Sequence, residues 1–179
     1  GTKPMLDSFE KKTGKKGMMV SAVDLLKGIA VGAGMGTVEV EGANGGLHTN
    51  YAGKVDAAAK ALLEEDYDFV YIHVEAPDEM GHQGSMERKV QAIEYLDEKV
   101  IGPMVEKLEQ AGVDFRMLVL PDHPTPIRVR THTSENVPYM LYDSTAKQNN
   151  AWNYNEAEAL KSGNLEPVGH KLIEKLLEA

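Results

Sequence analysis

Short runs of apolar residues alternate with amphipathic stretches along most of the chain. The apolar runs, several of them β-branched and aromatic, predict buried strands, and apolar positions spaced three and four apart predict helices. This alternation is typical of βα units around a mostly parallel sheet flanked by helices, and we expect an α/β fold. The predicted strands cover residues 18–22, 37–40, 69–74, 115–120 and 137–142; the predicted helices cover 23–29, 51–65, 85–108 and 167–177, with a polar loop over 149–155.

The longest predicted helix begins at an N-cap, Ser85, and has one apolar stripe. We expect the stripe to be buried and the intervening charged residues to be exposed. Gly102 and Pro103 interrupt the pattern, so we expect a kink or break there. The stripe comprises Val90, Ile93, Leu96, Val100, Met104 and Leu108, and the charged positions are Glu87, Lys89 and Glu94.

Length and composition indicate an ordinary globular protein. The 179 residues, 42% hydrophobic and 26% charged, fit one domain over 1–179 better than two small ones, and they exclude disordered and fibrous classes. The net charge of −9 argues against nucleic-acid partners and anionic membrane surfaces. No apolar run approaches the roughly 20 residues that span a bilayer. We therefore expect no membrane partner and a cytoplasmic location.

Acidic and histidine residues follow two predicted strands. The chain has no cysteine, which leaves Asp, Glu and His as metal ligands. Asp78 and His82 follow the strand over 69–74, Asp122 and His123 follow the strand over 115–120, and His132 precedes the last strand. Because ligands bind at the carboxyl ends of parallel strands, these five side chains are expected to converge. Such a set suits Zn²⁺ or Mn²⁺, and a pair of such ions suits phosphoryl transfer.

Each of these motifs alone also fits a solvated turn or a surface histidine, and only their shared position after buried strands favours a metal site. Pro77 predicts an extended or turn geometry at the preceding residue. His73, inside a strand, is expected to be a satisfied core imidazole, and His170 to face solvent. Ser21 fits the N-cap of the helix near residue 23 better than a nucleophile.

Several motifs together resemble one family, the archaeal-type 2,3-bisphosphoglycerate-independent phosphoglycerate mutases of the alkaline phosphatase superfamily. The resemblance covers residues 9–142. It rests on His73–His82 (HVEAPDEMGH), Leu120–Pro126 (LPDHPTP), Arg130–Thr133 (RTHT), Val20–Gly28 (VSAVDLLKG) and Asn50–Lys54 (NYAGK).

The resemblance implies a mutase that interconverts 2- and 3-phosphoglycerate through a phosphoserine intermediate in glycolysis and gluconeogenesis. It implies two divalent ions, Mn²⁺ or Zn²⁺, with Mg²⁺ or Co²⁺ as alternatives. One ion would bind to Asp78, His82 and His132, and the other to Asp122 and His123. Lys54 is expected to contact the substrate phosphate.

An acidic protein repels a phosphorylated substrate, so positive charge is needed near the site. Besides the metal ions, Lys54, Arg128 and Arg130 are the candidates to supply it.

In the family, the nucleophilic serine and a further Asp ligand lie in an N-terminal segment. We therefore interpret this chain as a C-terminal half that has no catalytic residue of its own and an incomplete sheet. We expect it to be inactive alone and to hold metal weakly, and an uncovered sheet edge would favour a homo-oligomer. Two alternatives stay open: a phosphatase or phosphonate hydrolase of the same superfamily, and a non-catalytic metal-binding domain.

Overall fold

Strand β1 (Gly17–Val20) is the centre of the main sheet. The computed structural model describes residues 5–146 and 153–178. β1 pairs in parallel with β2 (Gly36–Thr37) on one side and with β3 (Phe69–Ile72) on the other. All four β1 residues are buried, as expected for an apolar strand covered on both faces. The predicted α/β architecture with a parallel sheet is confirmed.

A second sheet contains two antiparallel strands, β4 (Arg116–Val119) and β5 (Met140–Asp143). At the end of this ladder, Arg116 Nε lies 2.8 Å from Asp143 Oδ2. A parallel pairing would need a crossover connection, usually a helix, but no helix lies between these two strands. The last strand therefore returns alongside β4 in the opposite direction.

Helices connect the strands and cover the sheets. Among the described residues, two short segments depart from α-helical geometry: a π-helical turn over Asp97–Ile101 and a 3₁₀ turn over Gly169–Lys171. The α-helices are α1 (Phe9–Thr13), α2 (Asp24–Gly32), α3 (Tyr51–Glu64), α4 (Ala76–His82), α5 (Met86–Leu96), α6 (Gly102–Gln110), α7 (Glu156–Lys161) and α8 (Leu172–Leu177).

The main core lies between the parallel sheet and helices α3 and α6. Met18 and Val20 of β1 are buried against Val55 of α3 and against Met104 and Leu108 of α6. Beside Tyr51, three alanines contribute the other buried α3 positions of this cluster, which allows the helix to approach the sheet closely. The core thereby fixes the carboxyl ends of β1 and β3 next to each other.

The apolar stripe predicted for α5 is wrong in its first half. Val90 and Ile93 are 50% and 51% exposed, whereas Ala92 is buried and Lys89 is partly buried. Most of the rest of the prediction is confirmed. Ser85 is the N-cap, Glu87 and Glu94 are exposed, and Val100, Met104 and Leu108 are buried, while Leu96, predicted to be buried, is only partly so.

The π-helical turn explains the error. A π-turn contains one more residue than an α-turn, so it rotates the sequence before it relative to the sequence after it. The buried positions of α6 therefore continue into Ala92 rather than into Ile93. Pro103 lacks the backbone N–H that an uninterrupted α-helix would use at this point. The irregularity expected at Gly102 and Pro103 thus takes the form of a widened turn.

Helix α4 corrects a second expectation. Ala76 is not extended but occupies the start of a helix, with Pro77 in its first turn. Proline is well tolerated there because the first N–H groups of a helix have no intrahelical acceptor. The helical conformation places Asp78 and His82 four residues apart on one face.

The remaining differences concern short elements. β2 ends at Thr37 instead of residue 40, and the C-terminal helix begins as the 3₁₀ turn. The sequence did not predict α1 or α7, which have five and six residues, none of them buried, and therefore no apolar stripe. Most of the predicted loop over 149–155 lies outside the described residues. Within the part that is described, no helix is long and apolar enough to cross a membrane.

The rotation at the π-turn can be tested by comparing two truncations. Leu108→Ala should lower the free energy of unfolding by about 2–5 kcal/mol because it leaves a cavity in the main core. Ile93→Ala should cost less than about 1 kcal/mol because the side chain is half exposed. Urea unfolding followed by circular dichroism measures both; an equal loss in the two variants would contradict the assignment of the buried face.

Candidate metal centre

Helix α4 and the loop between β4 and β5 together build a cluster of three metal-ligating side chains. Asp78 and His82 come from successive turns of α4, and His132 comes from the loop, 50 positions further along the chain. Within the described residues, these three form a group whose ligand atoms all lie within 4.8 Å of one another. The group is partly exposed and therefore accessible to an ion.

The ligand atoms face one another. His82 Nε2 lies 3.2 Å from His132 Nε2. The Asp78 carboxylate lies beside both nitrogens, with Oδ2 at 3.3 Å from His82 Nε2 and Oδ1 at 3.3 Å from His132 Nε2. Ligands bound tetrahedrally at about 2.0–2.1 Å from Zn²⁺ lie about 3.3–3.4 Å from one another. The spacing and the two-imidazole, one-carboxylate chemistry therefore fit a divalent transition-metal ion.

The second nitrogen of His82 has a partner that fixes the orientation of the ring. His82 Nδ1 lies 2.9 Å from the backbone carbonyl of Arg130, and because a carbonyl only accepts, Nδ1–H donates. The neutral ring then presents its unprotonated Nε2 to the ligand cluster, the usual arrangement for a metal-binding histidine.

Arg130 contributes this carbonyl from a strained backbone conformation. Its φ is +58°, in the left-handed region that residues other than glycine rarely adopt. Such strain often marks functional sites, where the surroundings stabilise it. The Arg130 side chain packs against Gly84, since a Cβ at Gly84 would lie 2.3 Å from Arg130 Nε.

The other two predicted ligands, Asp122 and His123, adjoin the first three. His123 Nε2 lies 3.3 Å from Asp122 Oδ2, and the His123 ring stacks on His132 with centroids 3.6 Å apart. All five predicted ligands thus lie in one connected cluster. The expected convergence of the loops that follow β3 and β4 is what the structure shows.

Two residues of the cluster were missed by sequence reasoning. Thr125, 4% exposed, donates its hydroxyl hydrogen to Asp78 Oδ1. Lys89, which was expected to be exposed, extends its ammonium to the Thr125 carbonyl at 2.6 Å. Burial lowers the pKa of Lys89, and the nearby Asp78 carboxylate opposes part of this shift. The only sequence signal for Thr125 was its place within the LPDHPTP motif.

Gly81 allows α4 to approach this loop. A Cβ at Gly81 would lie 2.5 Å from the Thr125 carbonyl oxygen, closer than non-bonded atoms approach. The contact is with backbone, so it cannot be relieved by a change of side-chain rotamer. Glycine at this position is therefore a requirement of the close packing between α4 and the loop.

Lys54 lies beneath the edge of the sheet rather than on the surface. It is 0% exposed, and its ammonium donates to the His73 carbonyl at 2.9 Å. Burial lowers the pKa of Lys54, while the Glu75 carboxylate opposes the shift. Its role in substrate binding stays a prediction.

His73 and Ser21 lie at the ends of adjacent strands, close to the metal cluster. His73 is partly buried, and its Nδ1 lies 3.3 Å from Ser21 Oγ. Burial lowers the pKa of His73, and the Asp122 carboxylate opposes this. Ser21 Oγ accepts the N–H of Val23, so it stabilises the turn before α2 rather than serving as the N-cap.

The remaining predicted residues lie on the surface. Arg128 Nη2 is 3.6 Å from Glu135 Oε1, and both Arg128 and Arg130 are exposed. Their predicted role in substrate binding is untested by this geometry. His170 is exposed, as expected for a residue outside the site.

A family model described as the metalloenzyme superfamily matches residues 2–178. The chain belongs to this superfamily. Membership agrees with the cluster of carboxylate and imidazole ligands on helix α4 and the β4–β5 loop.

Similar proteins bear the name of the family that the motifs resembled. A probable 2,3-bisphosphoglycerate-independent phosphoglycerate mutase of Geobacter sulfurreducens is 45% identical over 99% of this chain and 44% of its own length. One from Methanosarcina acetivorans is 46% identical over 92% of this chain and 41% of its own length. The chain thus spans less than half the length of these relatives, and the predicted resemblance is confirmed.

A solved structure shares the fold. A protein from Pyrococcus horikoshii superposes with a TM-score of 0.84 at 28% identity, covering 99% of this chain and 53% of its own.

The packing role of Gly81 predicts opposite effects for two glycine substitutions. Gly81→Ala should lower the free energy of unfolding by about 1–3 kcal/mol, because the methyl group overlaps the Thr125 backbone. Gly28→Ala, inside helix α2 with no atom near the new methyl, should raise it by about 0.5–1 kcal/mol. Denaturant unfolding measures both; a neutral Gly81→Ala would show that α4 and the loop are not in close contact.

The ligand cluster predicts a specific loss of metal binding. His82→Ala should abolish most of the affinity for Zn²⁺ or Mn²⁺ measured by isothermal titration calorimetry, since two ligands rarely hold these ions against water. His170→Ala, an exposed histidine outside the cluster, should bind as the parent does. Equal affinity in His82→Ala and the parent would place the ion elsewhere.

Proposed function

We propose that this chain forms the metal-binding part of a cofactor-independent phosphoglycerate mutase, which interconverts 2- and 3-phosphoglycerate. The observation that carries the proposal is the cluster of Asp78, His82 and His132 from α4 and the β4–β5 loop, with the other two predicted ligands, Asp122 and His123, beside it. The two relatives, each over 40% identical, support the same activity.

Two divalent ions, when bound, would lower the pKa of an attacking serine hydroxyl and neutralise the phosphoryl oxygens. The proposal assigns Asp78, His82 and His132 to one ion and Asp122 and His123 to the other. Mn²⁺ or Zn²⁺ suits these ligands best, with Mg²⁺ and Co²⁺ as alternatives to test. His82 is held for this task by the Arg130 carbonyl.

Positive charge from the protein would attract the phosphorylated substrate. Lys54 is buried just past the end of β3, where its ammonium donates to the His73 carbonyl. Arg128 and Arg130 are exposed residues of the loop that carries His132, and guanidinium groups suit phosphate recognition. These three residues are proposed to bind substrate.

The nucleophilic serine is assigned to a segment outside this chain, as the resemblance implies. Ser21 already accepts the Val23 N–H and contacts His73. A role in glycolysis and gluconeogenesis and a cytoplasmic location remain predictions.

A chimera tests the activity. The matching segment of the Geobacter sulfurreducens relative is replaced by this chain, and conversion of 3-phosphoglycerate is followed with enolase as the coupling enzyme. We expect mutase activity in the chimera, background activity when the chimera carries His82→Ala, and no activity in the 179-residue chain alone. His170→Ala in the chimera is the matched control and should keep full activity.

The same reactions distinguish the alternatives. Release of inorganic phosphate without formation of 2-phosphoglycerate would identify a phosphatase. A folded chimera that loads metal but is silent in both assays would contradict the mutase proposal and favour a non-catalytic metal-binding domain.

A further inference from the structure

Thr125 contacts both sets of predicted metal ligands. Its hydroxyl donates to Asp78 Oδ1, which belongs to the first set. The Thr125 hydroxyl oxygen itself lies 3.4 Å from Nδ1 of His123, which belongs to the second set. Asp78 lies on α4, and Thr125 and His123 lie on the loop after β4. Thr125 and Asp78 are 47 positions apart in the sequence. One hydroxyl group therefore joins the two halves of the centre.

The direction of both hydrogen bonds follows from the chemistry of the groups. A threonine hydroxyl has one hydrogen, and the Asp78 carboxylate takes it. The contact with His123 can then form only if His123 Nδ1–H donates to the Thr125 oxygen. A proton on Nδ1 leaves the neutral ring with an unprotonated Nε2, the nitrogen that lies 3.3 Å from the Asp122 carboxylate.

The position of Thr125 is itself fixed. The residue is 4% exposed, its carbonyl accepts from the Lys89 ammonium, and it packs against Gly81 of α4. A buried hydroxyl held on both sides has little freedom to turn away from its partners. Lys89 thus supports the centre from outside the ligand set.

We infer that Thr125 is a positioning residue that orients Asp78 and His123 together for metal binding. This inference rests on the proposed metal centre. In the loaded protein, Thr125 would keep Asp78 directed toward His82 and His132 and would accept the Nδ1 proton of His123 while Nε2 binds the ion. Histidine ligands usually need such a partner, and its loss weakens metal affinity by about 10–100-fold.

Thr125→Val and Thr125→Ser test the role of the hydroxyl group. Valine keeps the shape but removes the hydroxyl, so the affinity for Zn²⁺ in calorimetry should fall about 10–100-fold. Serine keeps the hydroxyl and should restore affinity to near the parent value. Thr131→Val, an exposed threonine of the same loop, is the matched control and should leave affinity unchanged.

A spectroscopic measurement separates positioning from general destabilisation. In the ¹⁵N-labelled, Zn²⁺-saturated chimera, which supplies the Asp ligand that the resemblance assigns to the N-terminal segment, His123 should bind through Nε2 and show a slowly exchanging Nδ1–H, assigned by its loss in His123→Gln. That proton should persist in Thr125→Ser and exchange rapidly in Thr125→Val.

Three results would count against the inference. Coordination of the parent through His123 Nδ1 would overturn it without any variant of Thr125, and so would unchanged affinity in Thr125→Val. A parent chain that takes up no Zn²⁺ would instead refute the metal centre itself, and the inference with it.

Discussion

The candidate centre depends on how closely helix α4 approaches the loop between β4 and β5. Gly81 permits the approach, because any side chain there would overlap the Thr125 backbone. The same approach brings the Arg130 carbonyl to His82 Nδ1 and the Thr125 hydroxyl to Asp78. Ligand geometry at a metal site is set within a few tenths of an ångström, so this one packing contact controls the chemistry.

Buried positive charge accompanies the centre in an otherwise acidic protein. The chain carries a net charge of −9, yet near the site the Lys54 side chain is fully buried and the Lys89 side chain is partly buried. Each is held by a backbone carbonyl, and burial lowers the pKa of both. Burying an ammonium group costs free energy. Both lysines lie near carboxylates, Glu75 and Asp78, which offset part of that cost.

Local sequence pattern was sufficient for the core elements and insufficient where one element constrains another. The strands β1 and β3 and the helix α3 each contain enough apolar residues to be recognised alone. The buried face of α5 could not be predicted, because it depends on the π-turn over Asp97–Ile101 that follows α5 and leads into Pro103 at the start of α6. The helix at Ala76 was missed because Pro77 fits a helix start as well as a turn.

At the site, the sequence by itself determined which side chains can bind a metal: the carboxylates and imidazoles that follow β3 and β4, in a chain without cysteine. The tertiary structure alone decided how they are oriented. The Arg130 carbonyl, the Thr125 hydroxyl and the Lys89 ammonium act on residues 36 to 48 positions away. Hydrogen bonds over such separations leave no periodic signal, because they depend on where the folded chain brings two groups together rather than on the neighbours of either residue.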